Sequence, residues 1–205
     1  PTNLGNPNLK PEEATSYEAG LKWKNVMVES SLSSFYRRGE NLIDWVKLPN
    51  ESIWQSTNHT LIHTFGIELH SKFDFTKLEK GNPFVRSIQF DYTYIDQSKE
   101  SGEKLSYYAM DFLKHRLDLG IEHKIVGSFS ANWHVSMQDR NGTYTEFVNG
   151  NFGNEVDYKP FALLDLKIQW KHNSWLAFVS GNNLLATKYF DISNVEQPGS
   201  WFRMG

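Results

Sequence analysis

The chain has 205 residues, a formal net charge of −3, no cysteine, and 15% aromatic residues. That balance leaves no electrostatic footprint for nucleic acid, and the missing thiols exclude disulfides and thiolate metal sites. No apolar run approaches the ~20 residues a membrane-crossing helix needs. The polar average suits a water-exposed protein, or a β-barrel in which only alternate residues meet lipid.

The first residues, Pro1-Thr2-Asn3, do not read as a secretion leader, and Arg203-Met204-Gly205 stops in mid-pattern. Both ends are therefore expected to be internal to a longer protein. The first periodic stretch sets Tyr17, Ala19, Leu21 and Trp23 against Glu18, Gly20, Lys22 and Lys24. A short turn at Lys24-Asn25 leads to a weaker alternation over 26–36, and then to a long polar loop at about 38–60. The clearest segment is 61–75. Its odd positions run Leu61, His63, Phe65, Ile67, Leu69, Ser71, Phe73 and Phe75, and its even positions run Thr64, Gly66, Glu68, His70, Lys72 and Asp74. A helix would mix these two sets on each face, whereas a strand separates them.

After a turn at 78–84, Ile88, Phe90, Tyr92 and Tyr94 alternate with Gln89, Asp91 and Thr93. A long loop at 97–109 follows. Leu113, His115, Leu117, Leu119 and Ile121 then alternate with Lys114, Arg116, Asp118 and Glu122. A turn at His123-Lys124 precedes Ile125, Phe129, Ala131, Trp133, Val135 and Met137, set against Ser128, Ser130, Asn132, His134 and Ser136. A long loop covers 139–158. Ala162, Leu164, Leu166, Ile168 and Trp170 alternate with Asp165, Lys167 and Gln169. A turn at 171–173 leads to 175–179, apolar on both faces. A fourth long loop, 185–198, precedes a last strand beginning near Gly199.

Short turns and long loops thus take strict turns, as they do when a membrane barrel keeps its turns on one side and its loops on the other. Trp23, Phe73, Phe75, Trp170 and Trp175 sit beside the short turns, and Tyr36, Tyr92 and Tyr94 near the long loops, all on the apolar face. Two aromatic girdles at the two membrane interfaces account for this; the competing explanation is a sandwich core. The polar face carries both signs of charge, which can pair across strands, and suits a wet lumen or a polar plug. Glycines recur in it at Gly20, Gly66 and Gly120. Barrel curvature and close packing against a plug explain them equally well.

Four segments carry a family resemblance. Gly5-Asn6-Pro7-Asn8-Leu9-Lys10-Pro11-Glu12, running on to Gly20, resembles the entry to a descending barrel strand of TonB-dependent receptors. Phe35-Tyr36-Arg37-Arg38-Gly39-Glu40-Asn41-Leu42-Ile43-Asp44 resembles the ascending strand and loop that follow. Gly181-Asn182-Asn183-Leu184-Leu185-Ala186-Thr187-Lys188-Tyr189 is similar to the family's N-L-F-D-x-x-Y motif, with Leu185 and Ala186 replacing Phe and Asp. Gln197-Pro198-Gly199-Ser200-Trp201-Phe202 is similar to the P-G-R entry to the final strand, with Ser200 in place of Arg.

The resemblance implies an all-β, antiparallel up-and-down meander of about nine long strands, part of a 22-stranded transmembrane barrel with a plugged lumen. Residues 1–205 would be the C-terminal portion, lacking the plug, the TonB-box and the first strands. Nine strands alone would leave open edges in hydrocarbon, so the remainder of the barrel and plug is an expected partner. It further implies outer-membrane lipid, TonB and a small-molecule nutrient as partners, and no cofactor. The nutrient would be a ferric siderophore, cobalamin, haem or an oligosaccharide.

Loop aromatics, with the amide Asn151 beside them, are the candidate ligand contacts: Trp45, Trp54, Tyr107, Tyr108, Tyr144, Phe147 and Phe152, since aromatic rings offer flat apolar area with a polar handle. The competing reading is that they pack loops against each other. His59 lies in a loop, and His63 and His115 interrupt the apolar face near its loop end. No metal-ligand cluster is expected. No G-x-S-x-G, H-E-x-x-H or P-loop spacing points to an enzyme. A passive channel, an adhesion barrel and a soluble β-sandwich binding module remain as other classes.

Overall fold

The computed structural model describes residues 3–47, 51–58, 61–78, 83–99, 105–106 and 111–205. In chain order the strands are β1 (Asn3–Leu4), β2 (Glu13–Lys24), β3 (Val28–Glu40), β4 (Ile43–Lys47), β5 (Trp54–Asn58), β6 (Leu61–Asp74), β7 (Val85–Lys99), β8 (Leu105–Ser106) and β9 (Phe112–Lys124). They continue with β10 (Phe129–Asn141), β11 (Thr143–Val148), β12 (Asn151–Asp157), β13 (Phe161–His172), β14 (Trp175–Asn182), β15 (Phe190–Ile192), β16 (Val195–Glu196) and β17 (Trp201–Met204). Nine of them form one antiparallel sheet in the order β17-β14-β13-β10-β9-β7-β6-β3-β2, so each strand pairs with the next long one in sequence. The up-and-down meander expected from the alternation is the observed topology.

Register explains why the pattern of two specifies so much. Leu21, Leu32, Leu69, Tyr92, Leu117, Met137 and Ala162 stand directly opposite one another from strand to strand. Toward the short turns, Val28, Phe73, Ile88, Ile121, Trp133 and Leu166 make a second row. Because successive side chains alternate faces, the other face collects Lys22, Ser31, His70, Asp91, Asp118 and Ser136 in one row. A slip of one residue anywhere would exchange these faces.

The charged face is the concave one. A cavity of about 240 Å³ lies against it, lined by Lys72, Asp91, Asp118, Glu122 and His134 among others. No large side chain among the described residues is fully buried, and Leu21 and Val179 on the opposite face are 77% and 55% exposed. A sandwich would have buried one face in a shared core; this sheet has none, so its convex apolar face meets the surroundings, as a lipid-facing wall does. On the concave face charges pair across strands, as expected: Lys22 and Lys24 with Glu29 at 3.1 and 2.8 Å, and Arg86 with Glu122 at 3.2 Å, while the His70 ring hydrogen-bonds Asp91 on the next strand.

The aromatic girdles are where the alternation put them, with one difference. Phe75 leaves the sheet, because the Asp74 side chain accepts the Thr76 N–H and caps a 3-10 turn over Phe75–Lys77. The turns also sharpen. Asn25 Oδ1 accepts the N–H groups of Met27 and Val28 at 2.8 and 2.7 Å, closing the first turn. The turn expected at His123-Lys124 falls instead at 125–128, so Ile125 belongs to it and not to β10. The long polar loops are not featureless: β4, β5, β8, β11, β12, β15 and β16 lie in them. The β11–β12 hairpin turns at Asn149 and Gly150, both with positive φ (51° and 83°), the conformation a two-residue hairpin turn requires.

Of the recurring glycines, Gly66 has a local reason. The Phe35 ring from the neighbouring strand lies over it, and a Cβ there would come within 2.3 Å of that ring. Gly120 meets only the Gln89 Cβ, at 3.8 Å, and lines the 240 Å³ cavity.

Candidate ligand site at the loop end

Every long loop projects from the same end of the sheet, and there the loops gather in two corners. The first is built on β2, β3, β6 and β7. β4 pairs antiparallel with β5, β5 carries β1 in parallel, and β4 carries β8, making a small four-stranded sheet, the canopy. The opening segment is tied to it by side chains. Lys10 N–H donates to Asn58 Oδ1 at 2.8 Å, and Asn58 Nδ2 returns a bond to Lys10 O at 3.0 Å and another to Asn41 O. Asn6 N–H donates to Ser56 Oγ at 2.9 Å, and Ile43 N–H to Glu12 Oε1 at 2.7 Å.

Beneath the canopy lies a cavity of about 500 Å³, within the range of small-molecule sites. Its wall is the concave face at Arg37, Gly39, Ile62, Thr64 and Gln97; its roof is Leu42, Ile43, Asp44, Trp45 and Ser56; Glu12 closes one side. Asp44 is 5% exposed and its carboxylate accepts the Trp45 N–H at 2.7 Å, which fixes the backbone carrying the indole. Arg37 is exposed and makes no ion pair among the described residues.

The second corner, over β9, β10, β13 and β14, is filled. Arg140 Nη1 binds Asp111 at 2.8 Å and Nη2 binds Asp191 at 2.9 Å, joining residues from three connections. The Tyr158 ring, 6% exposed, lies beneath the guanidinium at 5.7 Å, and its hydroxyl accepts the Ser193 N–H at 2.9 Å. Tyr144 stacks on Phe190 at 5.2 Å and meets Tyr158 at 5.1 Å. Burial pushes the phenols of Tyr144, Tyr158 and Tyr189 up. Beside this corner Asn183 is a hub. Its N–H donates to Asp165 at 2.8 Å, its amide exchanges bonds with the Thr187 backbone at 2.9 Å each way, and its carbonyl accepts from Ser200 at 2.6 Å. Gly181 next to it leaves room for Leu184 and Phe202, which a Cβ would approach within 2.7 Å.

The expected ligand contacts therefore separate. Trp45 lines the open cavity. Trp54 lies on β5 with the Lys47 ammonium 4.7 Å over its ring. Tyr144 packs loops together. Phe147 and Phe152 meet edge to face at 5.3 Å on an exposed hairpin, where Asn151 donates to Asn149 O at 3.3 Å. Tyr107, Tyr108 and His59 lie outside the described residues. His63 and His115 are on the convex face, hydrogen-bonded to the Tyr36 and Tyr92 hydroxyls, and take no part in either corner. Glu12, Arg37, Thr64 and Gln97 were missed as candidates. For three of them the signal was present, since Arg37, Thr64 and Gln97 share the parity of the charged face. Among the described residues no three His, Asp or Glu side chains converge as metal ligands do.

Comparison with known proteins agrees with this geometry. Residues 1–184 match the family model described as TonB dependent receptor-like, beta-barrel. The vitamin B12 transporter BtuB of Vibrio vulnificus (strain YJ016) is 32% identical over 75 residues, 37% of this chain and 12% of that protein. The FrpB iron transporter of Neisseria meningitidis superposes with a TM-score of 0.69 at 14% identity, over 98% of this chain and 32% of that one. The siderophore receptor PirA of Acinetobacter baumannii gives 0.68 at 17% identity, over 98% and 32%. The chain thus spans about a third of the length of these solved receptors.

Proposed function

This chain belongs to the TonB-dependent receptor β-barrel family of Gram-negative outer membranes, and from that premise we propose that it is part of the wall and mouth of an active nutrient importer. In this reading residues 1–205 are the C-terminal portion of a 22-stranded barrel. A plug fills the lumen against the charged face, and TonB draws on inner-membrane energy to move that plug. The nutrient is a ferric siderophore, cobalamin, haem or an oligosaccharide. The observation that carries the reading is the division of one continuous sheet into a convex apolar face and a concave charged face, with all long loops at one end. Lipid outside, water and polar protein inside, and a ligand mouth above are what that division serves.

Within the wall the parts have distinct tasks. Ion pairs such as Arg86–Glu122 and hydrogen bonds such as His70–Asp91 keep the lumen face polar. The canopy and the filled corner hold loops in place over the lumen, so a ligand meets a shaped site and not free chain ends. The test is whole-cell uptake of labelled ferric chelates, haem, cobalamin and oligosaccharides by the full-length receptor, with and without TonB. One of these should enter at a rate that falls to background when TonB is removed. Uptake that persists without TonB would make the protein a passive channel and end the proposal.

A further inference from the structure

We propose that the short-turn end of the wall carries a collar of lysines that binds the phosphodiester headgroups of anionic phospholipids in the leaflet it meets. This goes beyond the importer reading and rests on the sheet being an outer-membrane wall with its short turns on the periplasmic side.

Charge argues first, because the two ends of the sheet carry opposite signs. The four short turns with their flanking strand ends, residues 22–29, 72–86, 122–129 and 169–176, hold eight Lys and Arg against four Asp and Glu. The four long loops, 38–60, 97–109, 139–158 and 185–198, hold six against eleven. A chain of net charge −3 thus turns a positive end toward the periplasm. Among the described residues the acids at that end are engaged. Glu29 holds Lys22 and Lys24, Glu122 holds Arg86, and Asp74 accepts the Thr76 hydroxyl and N–H. Lys77, Lys124 and Lys171, from three different turns, make no ion pair among the described residues.

Position argues second. Lys77 ends the 3-10 turn after β6, Lys124 ends β9, and Lys171 is the last residue but one of β13. Each comes just after a ring of the convex face: Phe73, His123 and Trp170. The backbones are held in place. Lys124 N–H donates to Phe84 O at 2.8 Å, and Lys171 N–H to Ser128 O at 3.1 Å. Trp133 Nε1–H, which can only donate, bonds His123 Nε2 at 3.2 Å, and the other nitrogen of that ring bonds Lys124 O at 3.0 Å. The turn tips are themselves apolar and exposed, at Val26, Phe84, Val126 and Trp175. Exposed apolar tips beside an aromatic belt seat the turns at headgroup depth. A lysine there lays its stem along apolar surface and keeps its ammonium among the phosphates.

Chemistry then selects the headgroup. An ammonium meets a phosphodiester as a compact point charge. A zwitterionic lipid already carries a cation beside each phosphate, whereas an anionic lipid leaves that charge for the lysines to meet.

Native mass spectrometry of the full-length receptor in detergent tests this, with phosphatidylglycerol and phosphatidylcholine of the same chains as probes. Phosphatidylglycerol should bind about fivefold more tightly or better, the scale of one lysine at an anionic surface, and raising the ammonium acetate concentration should shrink that preference. Lys77→Gln, Lys124→Gln and Lys171→Gln combined should lower the preference by about fivefold, and the three Lys→Arg changes should keep it. Lys188→Gln, at the loop end, should leave it as it was. Hydrogen exchange over 112–124 and 161–172 checks that each variant stays folded. Equal binding of the two lipids, a preference untouched by the three Lys→Gln changes, or an equal loss in Lys188→Gln would overturn the inference. So would isolated peptidoglycan bound through the same lysines without any lipid preference, which would give the turns a different partner. Uptake is a separate outcome: passive entry of the nutrient would end the importer reading and leave the collar standing.

Discussion

The two loop corners are made of the same residue types and end in opposite conditions. Over β2, β3, β6 and β7, a tryptophan, an arginine and two carboxylates surround about 500 Å³ of open space. Over β9, β10, β13 and β14, two tyrosines, an arginine and two carboxylates close on each other, with Arg140 bonded to both Asp111 and Asp191. The difference lies in what each arginine faces. Arg140 reaches carboxylates from two separate connections and draws them together; Arg37, on the sheet wall, faces a roof held by backbone pairing of β4 with β5 and needs no ion pair to keep it there. An aromatic in an outer loop is therefore not a ligand contact by type. It stays available as one only where the neighbouring groups leave it uncovered.

The strongest way to break this contrast is Arg140→Ala. It removes both ion pairs and the cation over Tyr158, leaving Asp111 and Asp191 facing each other. The groups are partly exposed, so the cost is discounted to about 2 kcal/mol. Hydrogen exchange over 143–157 and 186–196 should rise by about thirtyfold, while 41–58 stays as it was. Equal loosening of both corners would show that they are one unit. A smaller effect is expected from Tyr158→Phe, which removes the acceptor of the Ser193 N–H and should cost about 1 kcal/mol, visible in the same segments. Ligand affinity should not change in that variant, and a loss of affinity would move the ligand site to the filled corner.

The smallest effect is one of pH. The Tyr158 phenol is raised by burial, whereas an unfolded chain releases that proton near pH ~10. Above that pH the open form binds fewer protons than the closed one. The fastening is thus complete below pH ~10 and declines as pH climbs toward the raised value. Exchange measured from pH 9 to 11, corrected for intrinsic rates, should show extra loosening at 186–196. The cavity beneath the canopy has no tyrosine among its described lining residues, and 41–47 and 54–58 should show none.

Much of the wall was legible from residue order. Leu69 and Glu68 fall on opposite faces because consecutive Cβ atoms point opposite ways in any strand, and Leu69 meets Leu32 and Tyr92 because short turns leave antiparallel neighbours few registers. Phe75 and Ile125 strayed from the pattern where a cap and a turn took over the local backbone. The family motifs were legible as strings, but their reasons were not: Asn183 is a hub because Asp165, Thr187 and Ser200 reach it from three directions.

Alternation by itself determined the strands, their two faces and the end that carries the loops, since each follows from local covalent geometry repeated along the chain. Only the tertiary structure decided which loop residues meet. Lys10 finds Asn58 across 48 positions and Arg140 finds Asp191 across 51, distances over which no local periodicity acts. Those meetings depend on the stagger and curvature of the whole sheet, which bring remote connections over the same stretch of wall and leave one corner closed and the other open.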